Sequence, residues 1–134
     1  MWNKYITLNE ARKLSTQFCK DFKIDKCEIF YIDRLSYGTY GEYSWLLPPH
    51  ILILDTYMNK NPIGIVIHEL NHHLQHQLYE LYASDDSYPS HGYEWTVAKR
   101  KTIKWCKENI SDTAPWEHPL RAYINRREMI MFRI

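Results

Sequence analysis

Cysteine is scarce. The 134-residue chain has three, Cys19, Cys27 and Cys106, odd in number, widely spaced and without a C-x-x-C pair. That excludes a disulfide framework and a zinc ribbon, and leaves reduced thiols as the expectation. No apolar run approaches the roughly 20 residues that span a bilayer, and the N-terminus lacks the basic-then-apolar layout of a secretory signal. A cytoplasmic protein without membrane contact is therefore expected. Internal repeats, low-complexity tracts and linker-like stretches are also missing, so the length argues for one domain over residues 1–134. Net charge is small, +1, but uneven: residues 1–90 hold eight Lys/Arg against eleven Asp/Glu, and residues 91–134 hold nine against five. The basic C-terminal third reads most simply as a solvated helix face, with a weak nucleic-acid contact as the alternative.

What is present in quantity is aromatic, with eleven Tyr and five Trp, and the chain also carries seven His. Thr7-Leu8-Asn9-Glu10 fits a capping box, and Ala11, Leu14, Phe18 and Phe22 follow at helical spacing, so a helix is expected from residue 8 to about 22. Residues 27–33 are rich enough in β-branched and aromatic side chains for a strand. The Gly/Tyr-rich residues 36–43 suggest a turn into a second strand through Trp45 and Leu47, and residues 50–55 an apolar third strand. Trp95, Ala98, Thr102, Trp105 and Cys106 mark one face of a later helix ending near Asn109, with Arg100, Lys104 and Lys107 opposite. Residues 110–134 form a C-terminal extension.

The chemistry concentrates in His68-Glu69-Leu70-Asn71-His72. This is H-E-x-x-H, in which two histidines bind zinc and the glutamate acts on a water. Residues four apart lie about 40° apart around a helix and one turn along it, so both imidazoles can reach one ion. Glu69 points about 100° away from His68, too far round to join the ligands but able to reach a metal-bound water. Asn61 is a suitable N-cap and Pro62 a suitable first-turn residue, and the helix should fade near Ala83. Its apolar stripe is Ile63, Ile67, Leu70, Leu74, Leu78 and Leu81, and His68 and His72 fall on a different face, outside the core.

A catalytic zinc takes three protein ligands and keeps a position for water. Downstream candidates for the third are His73, His76, His91, Glu94 and His118. His73 points away from His72 and His76 lies two turns below His68, so both are expected to face solvent. His91 follows a loop long enough to fold back and is the geometric favourite. The succession of a strand (50–54), H-E-L-x-H, a loop and His91-Gly92-Tyr93-Glu94-Trp95, an H-G-x-x-W block, resembles the SprT-like zinc metallopeptidases. The resemblance covers roughly residues 5 to 110, with its specificity in the two motif blocks.

It implies an α+β fold: an N-terminal helix, a small three-stranded antiparallel sheet, the zinc helix and a second ligand-bearing helix, a minimal zincin-like domain. It also implies His68, His72 and His91 as zinc ligands, Glu69 as general base, Gly92 as a tight entry to the helix, and Trp95 packed on the zinc helix. The chain departs from the family in carrying His73 after the second helix histidine, where a small residue is common, and in having no cysteine ribbon.

The expected activity is zinc-dependent hydrolysis of protein or peptide substrates, with DNA-associated proteins as family-like targets and a weak DNA contact through Arg100, Lys104 and Lys107. Tyr88, Tyr93 or a tyrosine of residues 37–43 could supply an oxyanion donor. Two rivals stay open. An ImmA-like repressor-cleaving peptidase would use a carboxylate such as Glu94 and matches His76, four residues after His72. A zinc-stabilised binding module would have no need of Glu69.

Overall fold

The computed structural model describes residues 6–35, 40–46, 48–55, 62–79 and 93–110. Its elements run α1 (Leu8–Phe22), β1 (Glu28–Ile32), β2 (Gly41–Ser44), β3 (His50–Leu54), α2 (Pro62–Leu78) and α3 (Tyr93–Asn109), an α+β order. None of these helices is long and apolar enough to cross a membrane. The extension 111–134 lies outside the described residues.

Local signals place α1. The Thr7 hydroxyl accepts from the Glu10 amide at 3.1 Å, and the Glu10 carboxylate accepts from the Thr7 amide at 2.9 Å, the reciprocal capping box read from the sequence. At the other end Lys23 adopts the left-handed conformation (φ 55°, ψ 46°), with the Ile24 amide donating to Cys19 O and the Lys23 amide to Lys20 O. That closure favours glycine, because a Cβ crowds the backbone there. Lys23→Gly is therefore expected to stabilise the fold by about 0.5–1 kcal/mol, read as a raised denaturant midpoint at unchanged slope.

The sheet corrects the antiparallel expectation: it is mixed, in the order β1-β3-β2. β2 pairs antiparallel with β3 (Gly41↔Ile53, Tyr43↔Ile51), whereas β1 runs parallel to β3 (Ile29↔Ile51, Phe30↔Leu52). A short connection returns β2 into β3, and β3 then takes the middle place. Its sequence His50-Ile51-Leu52-Ile53-Leu54 is apolar on both faces, which suits a central strand. Ile29, Ile51 and Ile53 are fully buried on the face towards the helices, where Phe18, Val66, Ile67, Leu70 and Leu74 complete the core.

The second strand lies earlier than expected, at Gly41–Ser44, leaving Trp45 beyond its end and exposed, while Leu47 lies outside the described residues. The physical reason is Gly41. A Cβ there would sit 2.7 Å from Ile65 Cγ2 and 3.2 Å from Glu69 Cγ. The glycine that reads as a turn residue is in fact what lets β2 lie flush against α2.

α2 enters through the interior, with Ile63, Gly64, Val66 and Ile67 all buried. Its stripe ends sooner than the periodicity suggests. Leu78 is 44% exposed, and Leu81 and Ala83 lie outside the described residues. In α3 the expected inner face, Trp95, Ala98, Thr102, Trp105 and Cys106, is buried, and Arg100, Lys104 and Lys107 are exposed. Trp105 ties α3 to α1, its Nε1 donating to Asp21 Oδ2 at 2.8 Å and its ring meeting Phe18 edge-on. All three cysteines are free and buried, and burial raises each thiol's pKa, which leaves little reactive thiolate.

Candidate metal centre

α2 carries His68, Glu69 and His72 into a layer roofed by β2 and α3. His68 is buried, which corrects the expectation that it stands outside the core, and His72 is half-buried. Their face diverges from the apolar stripe as the periodicity implies, but α3 covers it. The indole of Trp95, fully buried, lies 4.6 Å from the His68 ring and 4.4 Å from the His72 ring between centroids.

The two imidazoles stand 5.1 Å apart and nearly perpendicular, at 79°. Two rings sharing a tetrahedral ion through ~2.1 Å bonds have centres about 5 Å apart, so this spacing fits a shared ion. The His72 ring is also oriented. Its Nδ1 lies 3.0 Å from Gln75 Oε1. An amide oxygen only accepts, so Nδ1 carries the hydrogen and Nε2 keeps the lone pair that a ligand needs. The signal for Gln75 in the sequence is its position three residues after His72, a spacing at which helix side chains meet.

Glu69 is the least ordinary group of the site. It is 5% exposed, and its carboxyl is pushed up to about 8 by burial, with the negative charge of Glu42 adding to the shift. The β2 backbone passes directly over it: a Cβ at Gly41 would lie 3.3 Å from Glu69 Oε2. Among the described residues neither a cation nor a hydrogen-bond donor is paired with this carboxyl. A buried carboxyl without such compensation costs several kcal/mol if ionised. Sites of that kind concentrate where chemistry is done.

Two neighbours behave differently from their expectation as solvent-facing residues. His73 is fully buried: Tyr43 OH donates to its Nδ1 at 2.8 Å, and its Nε2 donates to Asp25 O at 2.6 Å. With both ring nitrogens used, His73 cannot ligate, and burial holds its pKa below the ordinary value. Gln77 Oε1 accepts from the Asp25 amide at 3.0 Å, so α2 satisfies both backbone groups of that residue and pins the connection between α1 and β1. His76 is half-buried, its ring stacked on Trp45 at 5.8 Å and 27°. Tyr43 directs its hydroxyl hydrogen to His73 Nδ1, so in this arrangement it is not free to donate to an oxyanion.

His91, Gly92, His118 and Tyr88 lie outside the described residues, and Glu94 is half-buried in the first turn of α3. Among the described residues no cluster of three metal-ligating groups occurs; those brought together are His68 and His72, beside Glu69. A separate cleft of about 690 Å³, lined by Asp21, Phe22, Lys101, Lys104, Trp105, Glu108 and Asn109, shares no residue with them. The chain matches no family model, no curated protein and no solved structure.

Proposed function

We propose that this chain is a zinc-dependent peptidase of the H-E-x-x-H type, a SprT-like, zincin-like domain in which His68, His72 and His91 hold the ion and Glu69 is the general base. The observation that carries the reading is the buried carboxyl of Glu69, uncompensated among the described residues, next to two imidazoles spaced for one ion. A binding module held together by zinc gains nothing from such a group and would be more stable without it. When bound, zinc supplies Lewis acidity towards a water and a scissile carbonyl and, as a nearby dication, favours the ionised form of Glu69.

The chain's own residues do the rest. Glu69 takes the proton of the attacking water and returns it to the leaving amine. Gln75 holds the His72 ring in the ligating tautomer. Trp95 excludes water from one side of the imidazole pair. β2, an edge strand lying across Glu69, offers main-chain groups to an extended substrate by strand addition.

The test is zinc stoichiometry of purified protein with His91→Ala and Glu94→Ala. Wild type and Glu94→Ala should carry one zinc per chain, and His91→Ala less than about a tenth of that under a competing chelator. The opposite pattern, with Glu94→Ala the variant that loses zinc, would favour the ImmA-like ligand set. The proposal extends to proteins on DNA, through Arg100, Lys104 and Lys107 on the exposed face of α3. Three phosphate contacts predict a roughly 40-fold loss of DNA affinity between 50 and 200 mM salt. Absence of DNA retention at low salt would remove this part alone.

A further inference from the structure

A polar contact is buried between α2 and α3, inside the H-E-x-x-H pentapeptide itself. Asn71, Trp95 and Thr102 are each fully buried. Asn71 Nδ2 donates to the Trp95 carbonyl at 3.3 Å, and Thr102 Oγ1 donates to Asn71 Oδ1 at 2.6 Å. One side chain of α2 thus holds α3 at two points seven residues apart, about two helical turns. Apolar contact is non-directional and tolerates small slides of one helix on another, whereas two hydrogen bonds from a single carboxamide do not. The element so held matters to the site, because the Trp95 indole of α3 packs on both imidazoles.

We propose that Asn71 is a positioning residue for the metal centre: gripping Trp95 and Thr102, it fixes the register of α3 on α2 and so keeps the His68 and His72 rings in a ligating arrangement. This rests on the zinc reading. It assigns to a position within the motif's unspecified x-x pair a role through Trp95, without contact to substrate or metal. Loss of one partner would strand a buried polar group and lower stability, whereas replacing both by apolar side chains of similar shape is nearly neutral. The double substitution therefore separates positioning from folding.

The experiment compares wild type with Asn71→Leu/Thr102→Val. Three quantities are read: thermal midpoint without metal, zinc affinity by chelator competition, and the visible spectrum with Co²⁺ in place of zinc. The double variant should melt within a few degrees of wild type, bind zinc about 10- to 100-fold more weakly, and give an altered Co²⁺ spectrum. Equal zinc affinity with an unchanged spectrum would overturn the positioning role while leaving the zinc reading standing. Failure of wild type to bind zinc would overturn both. If the double variant does not fold, Thr102→Ser and Thr102→Val decide the matter: the hydroxyl-bearing variant should keep wild-type zinc affinity and the valine variant should lose it, and equal affinity in the two would overturn the proposal.

Discussion

Glu69→Gln is expected to lower peptide cleavage by about 10²–10⁴-fold, the usual contribution of a positioned general base, while zinc stays at one per chain. Glutamine fills nearly the same volume under Gly41 and has no proton to exchange, so the site keeps its shape and loses its base. The retained metal matters to the interpretation, because it separates loss of chemistry from loss of the site. Substrate affinity should be little changed, so the loss falls on kcat and on kcat/KM alike. Full cleavage by Glu69→Gln would contradict the mechanism, and loss of zinc from it would show that Glu69 is a ligand instead of a base.

The same substitution should have the opposite effect on the stability of the metal-free protein. Burial raises Glu69 in the folded chain to about 8, above its ordinary value of 4.5. Below the lower value both folded and unfolded chains hold the proton and the carboxyl costs nothing. Between the two values the unfolded chain ionises first and binds fewer protons, so stability falls as pH rises, by up to about 1.4 kcal/mol per unit, and the loss is complete above about 8. His73 contributes with the other sign. Its lowered pKa gives stability that is present above the ordinary histidine range and lost as pH falls.

The difference between Glu69→Gln and wild type isolates the carboxyl from that second slope. It should be near zero at pH 4.5 and reach a few kcal/mol in favour of the glutamine variant at pH 8, measured by denaturant unfolding after chelation. A gap of constant size across that range would show that Glu69 is not held protonated.

Those parts of the fold set by near neighbours in the chain are legible in the amino-acid sequence. Thr7 and Glu10 fix the start of α1 by contacts three residues apart, and the face of α3 follows from its own periodicity. The imidazole pair of His68 and His72 is legible for the same reason, since i and i+4 are neighbours on any helix.

What escapes such a reading depends on partners distant in sequence. Whether β1 runs parallel or antiparallel to β3 is decided by which strand takes the centre, and no local signal in residues 28–32 records it. Gly41 reads as a turn residue until Ile65 and Glu69 are known to lie against it. His73 looks solvent-facing on a helical wheel, and becomes buried because Tyr43 and the Asp25 carbonyl close over it from two other parts of the chain. Asn71 likewise has no visible purpose until Thr102 stands opposite. Long-range packing supplies the surroundings of the motif.

X-ray absorption at the zinc edge of the purified protein decides whether His68 and His72 belong to the proposed three-histidine hydrolytic zinc centre. One zinc per chain is expected, bound by three imidazole nitrogens at ~2.0–2.1 Å and one light oxygen ligand, with no sulfur. Absence of zinc, or a zinc–sulfur shell near ~2.3 Å from the cysteines, would contradict it.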